Sequence, residues 1–126
     1  VTRLNISTGG PFEVLYGYSR AVRVGNQVHV AGTCAQSPNI EGVDAYGQTI
    51  DALHTIAGAL SEAGASLADV VRTRLYVVDI NDTSDVMRAH GEKFRNIGPA
   101  ATLVQVGALI DPNLRVEIEA YAIIDE

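Results

Sequence analysis

The chain has a single cysteine, Cys34, so it holds no internal disulfide framework and, alone, no cysteine-based metal site. Lysine is nearly missing as well: Lys93 stands beside eight scattered arginines, and the formal net charge is −6. That balance excludes a broad nucleic-acid surface, which needs clustered Lys and Arg. No apolar run is long enough for a transmembrane helix, so no membrane partner is expected. Val1-Thr2-Arg3-Leu4-Asn5 contains no signal-peptide core, which makes a cytoplasmic location the expectation. There is no Gly-x-Ser-x-Gly, no Walker loop and no dinucleotide fingerprint, and no His/Asp/Glu spacing suggests a metal.

What is present is a chain of 126 residues, read as one domain over 1–126 with no linker or repeat. Its 47% apolar and 19% charged content is that of an ordinary globular protein. Ser19 to Val24 and Gln27 to Ala31 are β-patterned around Gly25-Asn26, a hairpin turn, with a further short strand at Leu4 to Ser7. Thr33 to Val43, with Pro38, Asn39 and Gly42, reads as a loop.

From Asp44 to Ala63 the pattern becomes helical. Ile50, Leu53, Ala57 and Leu60 form the apolar stripe and Gln48, Asp51, Thr55 and Glu62 lie elsewhere, with Asp44 as N-cap and Gly64 as stop. Val70 to Val78 reads as a strand, with Val71, Thr73, Leu75 and Val77 on one face and Arg72, Arg74 and Tyr76 on the other. A second helix runs from Thr83 or Ser84 to Arg95, with Val86, Ala89, His90 and Phe94 inward, and Gly98-Pro99 ends it. Two strands follow, flanking Asp111-Pro112-Asn113, and the last alternates Val116, Ile118 and Ala120 against Glu117, Glu119 and Tyr121. The order β-β-α-β-α-β-β predicts an α+β two-layer domain, antiparallel-rich, with two helices on one face of the sheet. The opposite face mixes charge with aromatic surface, as a semi-polar subunit interface or a solvated face would.

Four segments, in order, resemble the reactive-intermediate deaminase (Rid, or YjgF) family. They are Arg23-Val24-Gly25-Asn26-Gln27-Val28-His29-Val30-Ala31-Gly32, Ala63 through Thr73, Tyr76-Val77-Val78-Asp79, and Val116-Glu117-Ile118-Glu119-Ala120, within a resemblance spanning Tyr18 to Ile123. The resemblance implies a chorismate-mutase-like fold and a homotrimer with clefts between subunits. It implies conversion of a 2-imino acid or its enamine to a keto acid and ammonia, with neither metal nor organic cofactor. Some family members carry an endoribonuclease label, which the charge balance here does not support.

Residue by residue, the resemblance places the family's catalytic glutamate at Glu117 and its tyrosine at Tyr18. The position of its serine holds Ala31, with Thr33 nearby as another hydroxyl, and that of its carboxylate-gripping arginine holds Ala101. Glu117 is the candidate acid/base; an interface carboxylate paired with Arg72, Arg74 or a neighbouring subunit is the alternative. Arg20, two residues beyond Tyr18 and ~7 Å along the same strand face, is a candidate surrogate for carboxylate binding, with Arg74 a weaker one. His90 is either a packed, hydrogen-bonded core histidine or a ligand contact. Cys34 lies near the cleft mouth and reads as a semi-buried thiol, with no base or cation beside it in sequence. Three functions stay open: an imine or enamine hydrolase that does not use the arginine route, the same hydrolase anchored by Arg20, and a non-catalytic module binding a small metabolite.

Overall fold

The computed structural model describes residues 2–125. Its strands are β1 (Arg3–Ile6), β2 (Ala21–Val24), β3 (Gln27–Thr33), β4 (Val70–Val77), β5 (Ala100–Gln105) and β6 (Val116–Ile123). Its helices are α1 (Pro11–Tyr16), α2 (Ala45–Glu62) and α3 (Thr83–Phe94). The six strands form one sheet in the order β1-β2-β3-β6-β4-β5. Every pairing is antiparallel except β4 with β5, which α3 connects as a crossover. β5 and β6 are therefore not a hairpin: β6 runs between β3 and β4, and the α+β sheet is mixed. The short helix α1 was not expected from the pattern, whereas β1 falls near its predicted place.

α2 begins where Asp44 caps it, its side chain accepting the Gly47 N–H at 2.8 Å. It ends before Gly64, whose φ of +85° suits glycine. Its core stripe is rotated from the predicted one: Ala45, Gln48, Thr49, Ala52, Leu53, Ile56, Ala59 and Leu60 are buried, while Ile50 and Ala57 lie at the margin. Gln48, expected outside the stripe, is fully buried because its amide is fully used. Its Nε2 lies 3.0–3.2 Å from the carbonyls of Ile40, Val43 and Asn113, and its Oε1 accepts the Arg115 N–H at 2.9 Å. α3 buries Val86, Ala89, His90 and Phe94, as its periodicity predicts.

Between sheet and helices lies the core, with Val28, Ile56, Leu60, Leu75, Val86, Val116 and Ile118 sealed from solvent. Each such side chain contributes about 1.5–3 kcal/mol relative to exposure. In β4 the predicted inward Val71 is 41% exposed and Val70 is buried instead. An irregularity between Val70 and Arg72 in the pairing with β6 shifts the alternation by one residue at that end. Beyond it, Thr73, Leu75 and Val77 face inward as expected.

Candidate functional site

The chemistry-bearing residues gather at a second irregularity, in β3. Val30 pairs with Ala120 but Thr33 pairs with Ile118, so Ala31 and Gly32 together oppose the single residue Glu119. This β-bulge is closed by two side chains. Arg20 Nη1 donates to the Gly32 carbonyl at 2.7 Å and to Thr33 Oγ1 at 2.8 Å, and the buried Thr33 hydroxyl donates to the Ala31 carbonyl at 2.7 Å. Arg20 enters its place because its own backbone is tied in, its N–H to the Ile6 carbonyl and its carbonyl to the Ala31 N–H, both at 2.9 Å.

The bulge turns Cys34 toward Glu117, so that the thiol donates to Glu117 Oε1 at 3.3 Å. The other carboxylate oxygen lies over Gly32, where an added Cβ would sit 2.4 Å from Oε2. Space, not backbone conformation, makes glycine the residue here, since Gly32 is not among the positive-φ glycines. Burial, followed by the charge and hydrogen bond of Glu117, pushes the Cys34 thiol up to about 12, with Arg20 opposing. A thiol in that state is a donor rather than a nucleophile or metal ligand. The Cys34 partner and the nearby arginine were not visible in sequence. Glu117 is not paired with Arg72 or Arg74; Arg72 donates to Thr102 Oγ1 at 2.6 Å.

Tyr18 is 43% exposed and precedes β2 rather than lying within it. Arg20 sits 5.9 Å from its ring centroid. Tyr18 and Ala31 line one surface groove of about 420 Å³ with His29, Arg74, Glu119 and Tyr121. Tyr76 donates a short hydrogen bond to Glu119 on this face, and that bond raises the Tyr76 phenol above its ordinary value. His29 stacks on Tyr121 at 4.5 Å.

His90 and Ala101 are elsewhere. His90 is buried, its Nε2 2.9 Å from Thr73 Oγ1 and its ring 4.7 Å from Phe94, and burial holds its pKa below the usual histidine value. Ala101 pairs with Thr73 on the edge strand β5, on the helix side of the sheet. Glu117 pairs with Tyr76, on the opposite face. The two positions are thus three residues along and two strands across, about 14 Å apart within one chain. The structure brings Glu117, Cys34, Arg20, Thr33 and Ala31 together with Tyr18 at their edge, and leaves His90 and Ala101 outside that cluster.

Sequence reasoning missed Gly32, although a lone glycine inside a β-patterned run is a signal for a bulge or close approach. Among the described residues no group of His, Cys, Asp and Glu could hold a metal, and no helix is long and apolar enough to cross a membrane.

The whole chain, and its six-stranded sheet, have clear relatives. The family model for Endoribonuclease L-PSP matches residues 11–124. The chain belongs to the Rid/YjgF family. A Mycobacterium tuberculosis structure, from the YjgF/YER057c/UK114 family, superposes with a TM-score of 0.91 at 50% identity, covering 98% of this chain and 100% of that one. An Acinetobacter baylyi protein named 3-aminoacrylate deaminase RutC is 35% identical, over 83% of this chain and 85% of its own. The human 2-iminobutanoate/2-iminopropanoate deaminase is 31% identical, over 94% and 88%.

Proposed function

We propose that this Rid-family chain forms a homotrimer whose clefts between subunits take a small imine, enamine or related carbonyl-derived metabolite. Glu117 serves as acid/base, and the route does not depend on an arginine clamp on a substrate carboxylate. The deaminase names of the relatives supply the reaction class. In such a reaction water adds to C=N, its proton passes through the carboxylate to nitrogen, and R₂C=NH plus H₂O becomes R₂C=O plus NH₃.

The observation that carries this reading is the division of labour around Glu117. Its carboxylate is seated in the bulge, while Arg20, the first candidate for a surrogate anchor, already commits Nη1 to Gly32 and Thr33. Ala101, which the family resemblance aligns with the substrate-gripping arginine, carries no charge. Because it lies on the other face about 14 Å from Glu117, a site using both positions draws them from different copies, which supports the inter-subunit cleft. A carboxylate-free substrate suits such a site better than a 2-imino acid.

The test compares imines in a coupled assay. Amino-acid oxidase generates 2-iminopropionate and 2-iminobutyrate, and an amine oxidase generates carboxylate-free imines. The expected result is little acceleration of imino-acid hydrolysis, with loss of a bidentate clamp costing of order hundredfold or more. Turnover of the carboxylate-free imine is expected, abolished by Glu117→Gln with the sedimenting trimer intact. Imino-acid turnover at family-typical rates, or a monomer in sedimentation, overturns the reading. A non-catalytic binding module is the second reading, favoured by the two alanines, Ala31 and Ala101, where the family resemblance places polar anchors. It is the outcome if no imine is turned over and Glu117→Gln alters only affinity.

A further inference from the structure

Glu117 is held from both sides by Gly32 and Cys34, which flank Thr33 at the end of β3, 83 or more positions away in sequence. We infer that Gly32 and Cys34 are positioning residues for Glu117, the glycine by leaving room for Oε2 and the thiol by donating to Oε1. The inference rests on the proposed role of Glu117 and adds which groups prepare it.

Two independent observations carry it. A methyl group at position 32 would meet Oε2 at 2.4 Å, closer than real Cβ contacts allow, so the carboxylate occupies space that only glycine leaves open. The obstacle is the end of a flexible side chain, not backbone, so a residue larger than glycine would displace the carboxylate rather than break the strand. On the other oxygen, the thiol at 3.3 Å is the side-chain donor Glu117 has among the described residues. A carboxylate with one oxygen anchored and the other against a flat backbone loses its rotational freedom, which a group that must meet water in one orientation requires.

Arg20 and Thr33 complete the device without touching Glu117. By holding the Gly32 carbonyl, the Thr33 hydroxyl and, through Thr33, the Ala31 carbonyl, they fix the bulge that aims both Gly32 and Cys34. The thiol is suited to the task because it stays protonated and keeps donating across the neutral range.

The contact itself is tested without substrate. The chain has one cysteine, so ¹³Cβ-cysteine labelling gives a single resonance that reports thiolate formation. In Glu117→Gln, and equally in Gly32→Ala, Cys34 is expected to ionise at lower pH than in the wild type. The double variant should show no further shift. An unchanged Cys34 titration in Glu117→Gln overturns the inference whatever the enzyme does. The consequence is tested on the carboxylate-free imine: Cys34→Ala should lower kcat roughly tenfold with KM unchanged, the size expected for one hydrogen bond to a charged group. Cys34→Ser should restore most of it. Equal kcat in the wild type and Cys34→Ala, with Glu117→Gln inactive, sinks the positioning role while leaving the proposed function standing. Inactivity of the wild type toward every imine defeats the proposed function instead, and the titration still decides the contact.

Discussion

Arg20 Nη1 lies 2.7 Å from the Gly32 carbonyl oxygen, joining the segment before β2 to the bulge of β3. The same nitrogen reaches Thr33 Oγ1, so one guanidinium nitrogen holds two acceptors of the bulge. This arginine is first a structural group. Arg20→Ala removes both bonds and leaves the buried Thr33 hydroxyl with its Ala31 partner alone. The expected loss is about 1.5–3 kcal/mol, the range for hydrogen bonds from a charged donor. Urea unfolding should show a lower midpoint with an unchanged slope. A variant as stable as the wild type would return Arg20 to the role of a free anchor.

Thr73 and His90 form the polar contact between β4 and α3, and burial keeps the imidazole neutral. The sign of the pH dependence follows. Above the ordinary histidine value of 6.5, folded and unfolded states are both neutral at this residue and the contribution is fully present. As pH falls from 6.5 toward the lowered folded value, the unfolded chain binds the proton first and stability declines. His90→Gln keeps a partner for Thr73 but cannot titrate. Chemical denaturation at a series of pH values should therefore show a steeper acid decline in the wild type than in the variant. Equal slopes would mean that His90 is solvated.

Gln48 joins α2 to the loop at Ile40–Val43 and to the entrance of β6, two residues before Glu117. Gln48→Leu preserves volume but strips its amide from the carbonyls of Val43 and Asn113 and from the Arg115 N–H, while the Ile40 carbonyl keeps the Val43 N–H. With about 1–3 kcal/mol for a fully buried group left unsatisfied, and these groups only partly buried and open to rescue by water, a loss of about 2 kcal/mol is expected. The same variant should impair any activity that depends on Glu117, because the approach to β6 loosens. Calorimetry reads the first effect and the imine assay the second; full stability in Gln48→Leu would show that the network is replaceable by packing.

How much of this was legible in the sequence depended on the range of each interaction. α3 was readable because its burial follows its own periodicity and Gly98-Pro99 stops it. The α2 stripe is rotated from its periodicity because a polar glutamine joins it, its burial made possible by the carbonyls of Ile40, Val43 and Asn113 and the Arg115 N–H, none of which a local pattern shows. The alternation of β4 failed at Val71 because one extra residue flips side chains to the other face, which no local pattern announces. Family resemblance points to Glu117 and Tyr18, and Cys34 stands out in the sequence as a lone thiol near the cleft mouth. Their meeting was not legible, since the bulge that aims Cys34 depends on Arg20 closing it from another strand segment.

Glu13 supplies the last prediction. It is buried beneath α1, its Oε2 accepting the Thr8 N–H at 3.2 Å and the Thr8 hydroxyl, while Oε1 has no partner among the described residues. The hydroxyls of Thr8 and then Ser7 hold its carboxyl below the ordinary value of 4.5 against the opposing effect of burial. A depressed acid contributes stability that is complete above about 4.5 and lost as pH falls through the folded value. Glu13→Gln keeps an acceptor for Thr8 but cannot titrate, so it should be less stable than the wild type at neutral pH and converge with it in acid. The loss should be local, because α1 leaves Phe12, Val14, Leu15 and Tyr16 exposed and is tied down mainly through this carboxylate. Hydrogen exchange at the Gly17 and Tyr18 amides, which bond the Glu13 carbonyl, should quicken in the variant before exchange in β4 or β6 changes. Uniform quickening across the sheet would instead make Glu13 part of the global fold.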